Sequence, residues 1–294
     1  MFWGRGVSCK TLCVAGAKGG AGKTTVALSL AVTHPDPESL LFIDADVEEP
    51  NAALFLHPRW DETREIFRKI PVVNDALCDG CGACARACGF GAILMLGETP
   101  SVMVESCHSC GACALVCPRG AIGEVDATLG KVSRGRAGSL EILSGEMEVG
   151  AASGVPLVRA EKDSPFGGKL RIMDCPPGTG CAVVEAVRGA DFCLLVTEPT
   201  PFGLHDLAAA VELLRILHVP CGVLVNRTGL GEDRSGEDKI ADFCRRENLP
   251  VLGGIPHDRR IAAAYAEGGI PVLTVPELAA LFSGLWHKIL AALT

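Results

Sequence analysis

Two groups of residues in this 294-residue chain have the types and spacing to do chemistry. The first is Gly16-Ala17-Lys18-Gly19-Gly20-Ala21-Gly22-Lys23-Thr24-Thr25, which fits G-x-x-x-x-G-K-[ST] over residues 16–24. Glycines let backbone N–H groups close on phosphate oxygens, and a helix opening there adds partial positive charge. In such a loop Lys23 reaches the β- and γ-phosphates and the Thr24 hydroxyl takes a place at Mg²⁺. The second group is eight cysteines. Cys78, Cys81, Cys84 and Cys88 follow C-x₂-C-x₂-C-x₃-C, and Cys107, Cys110, Cys113 and Cys117 repeat it, with Pro118 next. Four thiolates per run meet the demand of a 4Fe–4S cluster; zinc, the alternative, rarely uses this triple spacing.

Certain elements must position these groups. An apolar run at 11–15 precedes the glycine-rich loop and an Ala/Leu/Val stretch from 24 to 32 follows it, reading as strand, loop and helix. A second strand at 40–43 ends in Asp44-Ala45-Asp46, after which residues 51–70 read as a switch segment and a short connecting helix. Further strands are expected at 170–173, 192–197, 222–225 and 251–255, with helices near 181–188, 204–217, 238–247, 259–267 and 277–292. That alternation predicts an α/β fold, a mostly parallel sheet covered on both faces. Residues 71–128 differ in kind: eight cysteines, no lysine, six acidic residues and two arginines. They also duplicate themselves at an offset of 29, CDGCGACARACGFGAI from Cys78 matching CHSCGACALVCPRGAI from Cys107. The chain thus divides into 1–70, an inserted metal module at 71–128, and 129–294.

Composition narrows the class. With 48% hydrophobic and 21% charged residues the chain is globular. A net charge of −8 opposes a general nucleic-acid binder. No apolar run is long enough to cross a bilayer and no secretory signal precedes Lys10, so a cytoplasmic, reducing location is expected for the fifteen cysteines. The stripe Leu278, Leu281, Phe282, Leu285, Trp286, Ile289, Leu290 has only Lys288 beside it, so it reads as packing on the sheet and not on a membrane. Cys13, Cys193 and Cys221 read as small buried hydrophobes.

Lys18, within K-G-G-x-G-K-T, marks a resemblance to the deviant-Walker ATPases of the MinD/ParA and nitrogenase iron-protein group. That resemblance implies a P-loop NTPase sheet of the SIMIBI type. It also implies a dimer, homotypic or with a related ATPase, in which Lys18 touches the partner's nucleotide. Asp46 matches the residue that positions the attacking water. Asp174, in Asp174-Cys175-Pro176-Pro177-Gly178, matches the second switch, where Asp174 holds Mg²⁺ through water and the Gly178 N–H senses the γ-phosphate. Asn226 matches an adenine-reading residue and Pro256 a loop over the base; read singly, Asp174 is also a helix cap and Asn226 a turn residue. The cysteine runs resemble a bacterial two-cluster ferredoxin, in which each run's fourth cysteine serves the other cluster. Carried over, cluster one takes Cys78, Cys81, Cys84 and Cys117, and cluster two takes Cys88, Cys107, Cys110 and Cys113. Gly89 stands where that family prefers proline.

The combination, with residues 197–207 (TEPTPFGLHDL), resembles the MinD-superfamily ATPases carrying an inserted ferredoxin domain, a group that includes the ATPases of the orange-protein complex. The resemblance implies ATP, Mg²⁺ and two 4Fe–4S clusters as cofactors and an unidentified client or acceptor protein. Three tasks follow from it: ATP-driven assembly or delivery of an iron–sulfur or metal cofactor, nucleotide-gated electron transfer, or Min/Par-like positioning. Cys181, just after the Pro-Pro-Gly turn, is read either as helix packing or as a metal ligand at a dimer interface.

Overall fold

The computed structural model describes residues 9–16, 18–230 and 234–293; Ala17 of the glycine-rich motif and the stretch before Cys9 lie outside them. In chain order the elements are β1 (Lys10–Ala15), α1 (Lys23–Thr33), β2 (Leu40–Asp44), α2 (Ala52–Leu56), β3 (Arg59–Val73), α3 (Ala83–Ala87), β4 (Ile93–Leu96), β5 (Thr99–Val102), α4 (Ala112–Leu115), β6 (Ile122–Ala137), β7 (Leu140–Met147) and α5 (Val155–Lys162). There follow β8 (Leu170–Asp174), α6 (Cys181–Val187), β9 (Phe192–Thr197), α7 (Pro201–Ile216), β10 (Cys221–Thr228), α8 (Ser235–Arg246), β11 (Val251–Pro256), α9 (Arg259–Ala266), α10 (Pro271–Thr274) and α11 (Pro276–Leu293).

Nine strands form one sheet in the order β11-β10-β9-β1-β8-β2-β7-β6-β3. From β11 to β7 every pairing is parallel; β6 and β3 then add antiparallel. The central strands are apolar through their middles because both faces are covered, as parallel sheets require, with charged residues only toward their ends. Leu12, Phe42, Ile172 and Leu194 face α1, α10 and α11, whereas Cys13, Ile43, Met173 and Leu195 face α5, α6, α7 and α8. The α11 stripe is the cover of the first face: Phe282, Trp286 and Ile289 are buried in it, and the Trp286 indole N–H donates to the Leu30 carbonyl at 3.2 Å. No helix among the described residues is long and apolar enough to cross a membrane.

Of the switch segment and short connecting helix expected over residues 51–70, the short helix is present and the rest is corrected. Only α2, five residues long, is helical, and the chain then runs as the 15-residue strand β3. β3 pairs with β6 from Arg59↔Arg136 to Val73↔Ile122, making a two-stranded ribbon that leaves the sheet beyond β7. Both strands run through the positions 70/71 and 128/129. At the far end of the ribbon lie α3, α4 and the β4–β5 hairpin, packed around Cys84, Ile93, Cys113 and Ile122.

Helix α5, not foreseen in the sequence, buries Leu157, Val158 and Glu161 against the sheet. Glu161 is 0% exposed, and its oxygens lie beside Gly145 without a hydrogen bond of normal geometry. Burial, aided by the negative charge of Asp44, raises its pKa well above the ordinary carboxylate value. The folded chain therefore holds a proton there that the unfolded chain gives up, so stability falls as pH rises above the ordinary glutamate range. The slope is up to about 1.4 kcal/mol per pH unit. Glu161→Gln is expected to flatten this decline above the ordinary glutamate range, read by denaturant unfolding across pH; an unchanged slope would show that Glu161 is ionised in the fold.

Candidate functional site

The loop between β1 and α1 turns through Gly20 (φ 80°) and Gly22 (φ 94°), a left-handed backbone that favours glycine, and Gly22 caps α1. A Cβ at Gly22 would also strike the Asn226 side chain. Lys23 is buried at the first position of α1, and its ammonium donates to the Lys18 carbonyl at 3.1 Å. Burial lowers its pKa, and the nearby carboxylates of Asp174 and Asp46 oppose that shift.

Asp46 and Asp174 stand near this lysine, with Asp44 beside Asp174, at the C-terminal edge of the sheet, where open α/β folds place ligands. Asp44 ends β2 and is committed to structure: its Oδ2 accepts from the backbone N–H of Asn51 (3.0 Å) and Ala52 (2.8 Å), fixing the start of α2. Burial pushes its pKa up to about 6. Asp46, two residues on, lines the cleft; burial raises its pKa while Lys23 lowers it. Asp174 ends β8 beside Asp44 in register and is 1% exposed, with no hydrogen bond of normal geometry to either oxygen. Burial and then the Asp44 charge raise its pKa well above the usual range, and the neighbouring Thr24 hydroxyl and Lys23 oppose the rise. A buried carboxylate without a partner, beside a hydroxyl, is a donor set that suits a hard divalent cation such as Mg²⁺.

In front of these residues opens a cleft of about 560 Å³, within the range of small-molecule sites. Gly19, Gly20, Gly22, Lys23, Thr24 and Thr25 form its polar wall, and Ile255, Ile261, Tyr265 and Phe282 form an apolar one. Asn226 and Pro256 both border it. Lys18 and Ala21 instead line a smaller cavity facing Glu198, and Gly178, in a left-handed turn (φ 90°), borders neither. The Asn226 amide donates to the Ala21 carbonyl at 2.8 Å and its oxygen accepts from the Arg227 N–H at 2.9 Å. Arg227, overlooked in the sequence, pairs with the buried Glu198 carboxylate and donates to the Gly20 carbonyl at 3.3 Å. This ties the phosphate-loop backbone to β9 and β10.

The segment that follows Asp46 is anchored to the ribbon's root. The Val47 carbonyl accepts from the Met147 N–H at 2.8 Å, and Gly145 and Gly154 have no room for a Cβ beside the Val47 side chain. Glu148 N–H in turn donates to Leu129 of β6 at 2.8 Å. At the other end, Arg68 of β3 donates to the carbonyls of Cys107 (2.6 Å) and Val104 (3.1 Å).

The cysteines fall around two cavities. One is lined by Cys78, Cys81, Cys84 and Cys117, the other by Cys88, Cys107, Cys110 and Cys113. Among the described residues no three His, Cys, Asp or Glu side chains converge as a single metal ion demands. Backbone N–H groups point at the sulfurs: Ala92 to Cys88 (3.2 Å), Ala121 to Cys117 (3.3 Å) and Ser109 to Cys107 (3.4 Å). The N–H groups of Ala121 and then Arg119 lower the Cys117 pKa. Gly89 and Pro118 begin matching turns: Gly91 N–H bonds the Cys88 carbonyl and Gly120 N–H the Cys117 carbonyl, each at 3.2 Å. Elsewhere, Cys13 and Cys193 are fully buried, as is Cys175, which the sequence did not single out; Cys221 is half-buried. Burial raises the Cys193 thiol, and a hydrogen bond with Cys13 followed by burial raises that of Cys175, which favours the neutral thiol at both. Cys181 is exposed at the start of α6.

Comparison with known proteins agrees with this geometry. An uncharacterized protein of Methanocaldococcus jannaschii is 33% identical over 228 residues, 76% of this chain and 80% of its own. An iron–sulfur cluster carrier protein of Aquifex aeolicus is 29% identical over 116 residues, 36% of this chain and 32% of the carrier. In structure, the septum site-determining protein MinD of Pyrococcus horikoshii, solved with Mg-ADP, superposes over 96% of both chains with a TM-score of 0.59 at 20% identity, a likeness of fold. Residues 12–272 match the CobQ/CobB/MinD/ParA nucleotide-binding domain, and the chain belongs to that family.

Proposed function

We propose that this chain binds and hydrolyses ATP with Mg²⁺, holds two 4Fe–4S clusters, and uses the nucleotide cycle to drive assembly or delivery of an iron–sulfur or metal cofactor on a client protein. The observation that carries the reading is the sorting of eight cysteines into two cavities of four, each with three thiolates of one run and the fourth of the other. A four-iron cube spreads its thiolates more widely than one ion does, which accords with cradles that fit no single ion. Bound there, the clusters would supply one-electron chemistry. The partial likeness to iron–sulfur cluster carriers supports the same task.

In this reading Lys23 neutralises the phosphates, and Gly19, Gly20, Ala21, Gly22, Thr24 and Thr25 cradle them. Thr24 and Asp174 hold Mg²⁺, Asp46 orients water, Asn226 and Pro256 receive the base, and Gly178 senses the terminal phosphate. Lys18 acts across a dimer of two copies or with a related ATPase. Iron transfer from the reconstituted protein to an apo-acceptor is expected to require ATP; equal transfer without nucleotide would overturn the assembly reading.

One observation favours a second reading, nucleotide-gated electron transfer. All four thiolates of each cradle come from this chain, which suits resident clusters, and the segment after Asp46 is bonded through Met147 and Glu148 to the ribbon that carries them. There, ATP should change the rate at which the clusters reduce an acceptor, and identical rates with and without ATP would exclude it.

A further inference from the structure

The internal repeat makes Asp79 the counterpart of His108, and Phe90 the counterpart of Arg119. In the fold each position meets its opposite across the two repeats. Arg119 Nε donates to Asp79 Oδ2 at 2.8 Å, and the Phe90 and His108 rings stack with centroids 3.8 Å apart and planes at 13°. Asp79 and Arg119 line the cavity of Cys78, Cys81, Cys84 and Cys117; Phe90 and His108 line the cavity of Cys88, Cys107, Cys110 and Cys113. The same two places in the repeat therefore cover each cradle, with an ion pair on one and a pair of rings on the other.

The backbone beneath is nearly the same. Gly80 and Ser109 both have left-handed φ (68° and 55°), as do Gly82 and Gly111 (68° and 72°) and Gly91 and Gly120 (64° and 59°). The N–H groups aimed at Cys88 and Cys117 also match, at 3.2 and 3.3 Å. Duplication has kept the cradle and changed its lid.

Resting on the two-cluster reading, we propose that these lids make the clusters unequal in reduction potential, the one beneath Phe90 and His108 being the harder to reduce. Reduction adds one negative charge to a cluster, and the potential follows how well its surroundings accept that charge. Asp79 and Arg119 together carry no net charge, so their effect is that of a polar, hydrated cover; their side chains are 36% and 62% exposed. The ring stack replaces that cover with carbon, which screens charge poorly. The additional N–H from Ser109 to Cys107 favours reduction of the second cluster and opposes the difference, and it is left intact in the test. A single electron entering the module settles beneath the ion pair, so Asp79, Arg119, Phe90 and His108 are positioning residues for charge.

Lid transplants in the full-length protein test this, with potentials followed by electron paramagnetic resonance during anaerobic titration at alkaline pH, where imidazoles are neutral. Wild type is expected to reduce in two resolved one-electron steps. Asp79→His with Arg119→Phe copies the ring lid onto the first cradle and should lower the upper step, closing at least half of the gap. Phe90→Arg with His108→Asp should raise the lower step to similar effect. Arg119→Met alone, lowering the upper step in part, serves if a transplant loses a cluster. Coincident steps in wild type, or a gap unmoved by every variant, overturn the lid assignment while leaving two clusters in place. Failure to bind iron at all overturns the cluster reading and this inference together.

Discussion

Lys23→Ala is expected to cost roughly 10²–10³-fold in ATP turnover, the usual penalty for removing one preorganised group from a developing phosphate charge. The structure argues for the upper part of that range. Lys23 is buried with Asp174 and Asp46 as its nearest charges, so its loss leaves carboxylates facing an anionic ligand. Affinity should fall as well as rate, and calorimetric titration with ATP alongside phosphate release separates the two. Lys18→Ala is the informative comparison: its backbone carbonyl, which holds the Lys23 ammonium at 3.1 Å, survives the substitution. That variant should bind nucleotide like wild type yet turn over slowly. Turnover surviving in Lys23→Ala would show that the cleft is not where ATP reacts.

The second large effect concerns which cysteines act together. Cys88→Ser combined with Cys107→Ser should leave one intact cluster, reducing iron from roughly eight to roughly four atoms per chain. Cys78→Ser combined with Cys88→Ser should damage both and leave almost none. Were each run to ligate its own cluster, the outcomes would be reversed. The contrast rests on the cavity membership of Cys88 and Cys117, each of which leaves its own run to join the other. Iron analysis and the paramagnetic signal of the reduced protein read it directly.

The parallel core was legible because its strands are buried on both faces and α1 and α7 begin at the glycine-rich loop and at a proline, so local pattern and tertiary role agree. The ribbon was not. β3 lies at the sheet edge with little cover, so RWDETREIFRKI carries charge where a half-buried strand would alternate. Its partner β6 contains Gly130 and Gly135, a residue type depleted in strands. Each sits where a Cβ would strike a neighbouring backbone carbonyl, that of Glu146 or that of Arg59. Helix α5 was hidden by Glu161, an acid on the buried face of a short helix. At the nucleotide cleft, Lys23 was found by its spacing from the glycines, whereas Asp46 and Asn226 came from the family resemblance. The ion pair of Glu198 and Arg227 joins residues 29 apart, and no local pattern announces it. Gly178 does not border the cleft, and the resemblance alone gives it a role there.

The last rung of the ribbon has an evolutionary meaning. Val73 stands opposite Ile122, and the next N–H, from Asn74, still bonds the Ala121 carbonyl at 2.7 Å. The chain therefore departs for the cysteine-rich lobe and returns from it at neighbouring points, a gap that a two-residue Asn-Gly hairpin would also span. A gene could gain or lose that lobe as a change of loop length, with the parent sheet left in register, and relatives with and without it would differ by a cassette and share a scaffold.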